Sequence, residues 1–191
     1  ESTLEQACAA LAMSRAAGRD TGIVAVNLTR EPLREPGFAE TVRATLARHD
    51  IPPASLAFEI GETALSDSDP EPELETMARL NAVGVRLVLD EFGRSSAALT
   101  HLRRIPELSR IKLHHAFTSS LLEGAHDRRA DASADTAIAR AVIELSHGLG
   151  IEISADGIDS NEAAATLAAL GCDIVQGAAA GPTRRSPDLR A

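Results

Sequence analysis

Six apolar runs along the chain each carry, at or next to their C-terminal end, a polar side chain able to hold a metal or move a proton. Asn27 closes the first run, Glu59 lies near the end of the second, and Asp90–Glu91 close the third. Lys112 lies near the end of the fourth, Asp156 follows the fifth and Gln176 ends the sixth. An amide oxygen with several carboxylates is a hard-oxygen donor set suited to Mg²⁺ or Mn²⁺. A lysine beside them can orient or deprotonate a water, and two adjacent carboxylates allow a pair of metals. Together they suggest metal-assisted hydrolysis of a phosphate ester. Each position also has an ordinary use. A carboxylate after a strand often caps the next helix, and a lysine can lay its stem along apolar surface with its ammonium in water. The repetition at six successive run ends is what sets the pattern apart.

The elements that must position these residues alternate between two periods. Period-two, β-rich runs fall at Gly22–Asn27, Ser55–Ile60, Arg86–Asp90, Arg110–Leu113, Ile151–Ala155 and Cys172–Gln176. Helical patterns fall at Leu4–Ala17, Phe38–Arg48, Pro72–Val83, Ser96–Arg104, Asp135–Leu149 and Asn161–Leu170. Gly18, Gly84, Gly150 and Gly171 each follow a helical pattern, where a left-handed residue ends a helix. Strand–helix alternation predicts an α/β fold with a parallel sheet and helices outside it. No strand runs into the glycine-rich phosphate turn of a dinucleotide fold. A full (β/α) barrel takes ~250 residues, so a chain of 191 residues predicts a TIM-type barrel lacking roughly two strands. In such a barrel the strand ends converge on one rim. The polar segment Glu123–Ala134 is expected to be a long mobile loop, and the tail from 183 to 191 to be disordered beyond a domain spanning 1–182.

Composition removes several classes of function. Nineteen Lys and Arg against 28 Asp and Glu give a net charge of −9, which argues against binding DNA or RNA. With no Trp or Tyr and 4 Phe, there is no platform for stacking single-stranded bases. Cys8 and Cys172 are too few for a disulfide scaffold and read as buried, reduced thiols. No apolar stretch approaches the ~20 residues of a membrane span. A cytoplasmic domain cut from a longer, even membrane-anchored, protein is the expectation.

The residues carry a resemblance as well. The segments VAVNLT at Val24–Thr29, FEIGET at Phe58–Thr63 and LDEFG at Leu89–Gly93 are similar to motifs of the EAL domain family. So are IKL at Ile111–Leu113, ADGID at Ala155–Asp159 and DIVQG at Asp173–Gly177. These proteins are phosphodiesterases that linearise the bacterial messenger cyclic di-GMP, and the likeness runs from about Leu4 to Pro182. It implies that Asn27, Glu59, Asp90 and Glu91 bind Mg²⁺ or Mn²⁺. It implies that Lys112 and Asp156 are catalytic, Lys112 helping to handle the attacking water, and that Gln176, Asp159 and Glu62 belong to the substrate side. Glu62 matches the glutamate that anchors the loop after D-D-F-G. A homodimer and flanking sensor or diguanylate cyclase-like domains are further implications.

The departures are specific. The E-A-L tripeptide and the first two strands of the family barrel are not found. Glu91 stands for an aspartate, Gly61 for a threonine and His114 for the aspartate of K-I-D, while Asp156 and Asp159 are shortened from glutamates. The loop after Phe92 reads Arg94-Ser95-Ser96-Ala97-Ala98, placing a bulky cation there. Metal–ligand distances must hold within about 0.2 Å, and small displacements of catalytic groups cost ~10²-fold in rate. The sequence therefore predicts a degenerate EAL domain with impaired or lost hydrolysis, acting as a nucleotide-sensing or regulatory domain. The alternative is a protein-interaction or dimerisation module that binds no nucleotide.

Overall fold

The computed structural model describes residues 3–19, 22–65, 70–93, 102, 104–105, 107–114 and 130–178, with the side chains of 130–135 excepted. The chain divides into two compact units, Glu1–Ser109 and Arg110–Ala191.

In the first unit, helix α1 (Thr3–Ala16) precedes strand β1 (Val24–Leu28), a short helix α2 (Arg30–Arg34) and helix α3 (Phe38–Arg48). Strand β2 (Leu56–Gly61), helix α4 (Glu71–Val83) and strand β3 (Arg86–Phe92) follow. The strands are parallel and in sequence order, with Asn27 paired to Glu59, Glu59 to Val88 and Gly61 to Asp90. Side chains alternate across a strand, so this register sorts residues onto two faces. One face carries Val26, Leu28, Leu56, Phe58, Ile60, Leu87 and Leu89, all buried. The helices cover apolar surface with stripes at helical spacing: Leu4, Cys8 and Leu11 on α1, Val42 and Leu46 on α3, Met77 and Leu80 on α4. The rings of Phe38 and Phe58 meet at a tilt of 52° with their centroids 6.0 Å apart. Burying a side chain such as Phe58 contributes about 1.5–3 kcal/mol. The opposite face carries Ala25 and Asn27, Ala57 and Glu59, and Val88 and Asp90, ending in carboxylates and an amide.

The second unit repeats the pattern. Strand β4 (Arg110–Leu113), helix α5 (Ala130–Gly148), strand β5 (Glu152–Ala155), helix α6 (Asn161–Leu170) and strand β6 (Ile174–Val175) form parallel pairs β4–β5 and β5–β6. Ile111, Leu113, Ile153 and Ala155 fill one face, and Ala139, Ile158, Ala163 and Leu167 pack among this unit's core. Arg110 and Lys112 with Glu152 and Ser154 take the other. Ser160 caps α6 by accepting from Ala163 N–H at 3.1 Å. Gly84, Gly150 and Gly171 do end their helices with φ of 95°, 73° and 98°.

Two sequence expectations need correction. Helix α5 begins at Ala130, inside the segment read as loop. Its ADASA start shows no apolar period, but alanine has the highest intrinsic helix propensity. Cys172 is only half-buried, its thiol donating towards the Ile174 carbonyl at 3.3 Å. The segment 123–129, the loop at 94–100, most of the helix expected at Ser96–Arg104, and the tail from 183 lie outside the described residues.

Candidate functional site

Asn27, Glu59, Asp90 and Glu91 border one cavity of about 360 Å³ at the C-terminal ends of β1, β2 and β3. Direct pairing sets Asn27 level with Glu59. Asp90 sits opposite Gly61, two residues beyond Glu59 on the same face. The apolar faces of the same strands are anchored under the helices, so the donors are held by a packed sheet and not by a loop.

Glu91 is unusual. Its φ is 59°, in the left-handed region, although it lies within β3. That conformation costs a non-glycine residue roughly 1–2 kcal/mol. The adjacent Asp90 Oδ1 accepts the Glu91 N–H at 2.7 Å, which holds the twist locally. Non-glycine residues held this way cluster at functional sites.

The donor types fit a divalent cation of the Mg²⁺ or Mn²⁺ kind. Among the described residues no three His, Cys, Asp or Glu side chains form a group that could hold a metal by themselves. Mg²⁺ keeps several waters and leans on one or two carboxylates, so a hydrated ion does not require such a cage.

In the second unit, Lys112 Nζ lies 3.3 Å from Asp156 Oδ2, with the lysine side chain 12% exposed. Alternation along β4 and β5 puts both on the polar face, Lys112 facing Ser154 and Asp156 two residues beyond it. Asp156 Oδ1 also accepts the Gly157 N–H at 2.8 Å. Gln176 clamps the same loop through its backbone, donating to the Ala155 carbonyl at 2.8 Å and accepting from Ile158 N–H at 3.0 Å. Asp159 is exposed beside it.

The family model of the EAL domain matches residues 1–183. The chain belongs to the EAL domain family. This EAL domain is 33% identical over 178 residues to the bifunctional diguanylate cyclase/cyclic di-GMP phosphodiesterase MucR of Pseudomonas aeruginosa, covering 93% of this chain and 24% of MucR. It is 33% identical over 154 residues to the cyclic di-GMP phosphodiesterase RocR of the same organism, covering 81% of this chain and 37% of RocR. Against the solved structure of the PaMucR phosphodiesterase in complex with c-di-GMP, the TM-score is 0.79 at 31% identity, over 94% of this chain and 68% of that one. The parallel α/β fold of TIM-barrel type read from the sequence is the fold of this family. No helix among the described residues is long and apolar enough to cross a membrane.

Among the site residues expected in the first unit, Glu62 is set apart from the others. It is 1% exposed in the turn Glu62–Leu65 after β2 and does not border the cavity. The sequence pattern did not single out Arg30 and Glu73. Glu73, fully buried in the first turn of α4, receives Arg30 Nε at 2.6 Å and Arg34 Nε at 3.2 Å. Arg30 also borders the cavity. The available signal was the four-residue spacing of the two arginines, which puts them on one helix face.

Proposed function

We propose that this EAL domain binds cyclic di-GMP with a divalent cation and hydrolyses it slowly or not at all, serving as a nucleotide-sensing or regulatory part of a longer signalling protein. The observation that carries the reading is the registered trio Asn27, Glu59 and Asp90 on one face around a single cavity. Asn27 Oδ1 and the carboxylates of Glu59, Asp90 and Glu91 would hold Mg²⁺ or Mn²⁺. The chemistry such a cation supplies when bound is Lewis-acid polarisation of a phosphoryl oxygen and acidification of water. Asp156, in ion-pair contact with Lys112, orients the ammonium. Lys112 in turn offers hydrogen-bond donors to a water or a phosphate oxygen. Gln176 and Asp159 flank that loop as substrate-side groups.

Two features support slowed turnover. Glu91 combines a longer side chain with a left-handed backbone. Asp156, shorter than the family glutamate, is already in contact with Lys112. MucR is named for both cyclase and phosphodiesterase activity, and the present chain matches 24% of it, which supports flanking domains here too.

The test is equilibrium dialysis of labelled cyclic di-GMP against the protein in Ca²⁺, which in this family permits binding without turnover, followed by a Mn²⁺ turnover assay. Retention with little cleavage is the expected result. Rapid cleavage would make the domain a competent phosphodiesterase. No retention by the folded protein would move the reading to an interaction module.

A further inference from the structure

Gly61 ends β2 opposite Asp90 and borders the same cavity as Glu91. Its φ is not in the left-handed region, so its backbone does not require glycine. A glycine inside a strand weakens it and often marks a close approach by another group. The approaching group here is the Glu91 carboxylate. A Cβ on Gly61 would stand 3.7 Å from Glu91 Oε2 and 3.7 Å from Thr63 Oγ1. That is ordinary contact for a single carbon. A β-branched residue adds two more atoms to that Cβ, and these have Glu91 Oε2 and Thr63 Oγ1 already beside them.

We infer that Gly61 is a positioning residue for the cation site: its bare backbone is the seat on which the Glu91 carboxylate lies, and the two residues work as a pair. Glu91 starts from a left-handed backbone with a side chain one methylene longer than aspartate. Its carboxylate keeps its place at the cavity because position 61 presents no atoms beyond where a Cβ would stand. Filling that position displaces the carboxylate, and shortening the acid relieves the conflict. This pairing rests on the reading of the cavity as a divalent-cation site.

The experiment is a Mn²⁺ titration of the intact protein, followed by electron paramagnetic resonance, with thermal melting measured alongside. The proteins are wild type, Gly61→Ala, Gly61→Thr, Glu91→Asp and the double variant Gly61→Thr/Glu91→Asp. Gly61→Ala is expected to bind as the wild type does. Gly61→Thr is expected to lose about 10-fold or more in affinity, the usual scale for disturbing the support of a metal ligand. In the Glu91→Asp background the same threonine is expected to cost little, so that the double variant recovers most of the loss. Equal costs of threonine in both backgrounds, or no cost beside Glu91, would overturn the pairing. Should Gly61→Thr not fold, Gly61→Ser adds a single atom beyond Cβ, and the same comparison of backgrounds decides. Failure of the wild type to bind Mn²⁺ would instead overturn the cation reading, and the pairing with it.

Discussion

Gly177 runs so close to Ile158 that a Cβ on the glycine would lie 2.4 Å from both the nitrogen and the oxygen of Ile158. Its φ of 144° is also one that side chains with a Cβ rarely adopt. Backbone atoms cannot step aside as the end of a flexible side chain can. Gly177→Ala is therefore expected to destabilise the domain by on the order of 3 kcal/mol, combining overpacking with backbone strain. The midpoint of urea denaturation checks this. A midpoint equal to wild type would mean the Ile158 loop relocates at no cost.

Glu73→Ala would strand Arg30 Nε, and in part Arg34, against a helix face shaped for a carboxylate. Removing a partner from a fully buried pair costs ~3–5 kcal/mol. The two arginines remain 27% and 47% exposed and can recruit water. A loss of about 1–3 kcal/mol is expected, read from the same denaturation curves. A change below measurement error would show that α2 is not held by this contact.

The acid limb of stability should depend on Asp173. Burial pushes its carboxyl up, but the Ile153 N–H at 2.8 Å, the His147 ring at 3.0 Å and the Arg110 charge outweigh it and hold the group below its ordinary value of 3.8. A carboxylate depressed in the folded state stabilises fully above its unfolded value, and that contribution is lost as pH falls through the folded one. Asp173→Asn is expected to melt below wild type near neutral pH, with the gap closing below about pH 4. Melting temperatures of the two proteins across an acid series test this, and a gap that stays constant would contradict it.

Glu91→Gly separates strain from function. The φ of 59° costs glutamate but not glycine. Losing the side chain is expected to leave the melting temperature unchanged or slightly raised while Mn²⁺ affinity falls. A clear drop in melting temperature would show that Glu91 serves packing and not the cavity.

Much of this arrangement is legible in the sequence because its physics is local. Six apolar runs end where the strands end, give or take two residues, and each carries a polar residue at or next to its end. Asn161–Leu170 is bounded by Ser160 and Gly171, and the observed helix keeps those bounds. What escaped has its cause at a distance. Helix α2 buries Leu33 through a five-residue segment too short to show a period, and is tied to α4 by an acid 43 residues from Arg30. The left-handed turn of Glu91 has no signal, since nothing in LDEFG marks which residue twists. The need for glycine at 177 lies in the backbone of residue 158.

The register of β1 on β2 also limits how this domain can change over time. Asn27 and Val26 sit on opposite faces, the amide level with Glu59 and the valine under the helices. A single residue gained or lost within β1 ahead of Asn27 would swing the amide into the apolar layer and bring a hydrophobic side chain out beside Glu59. Length variation among relatives should thus be excluded from the strand and displaced into its flanking connections. Repairing such a frame error would take a second, compensating insertion or deletion in the same strand, so the spacing within VAVNL is expected to drift more slowly than its letters.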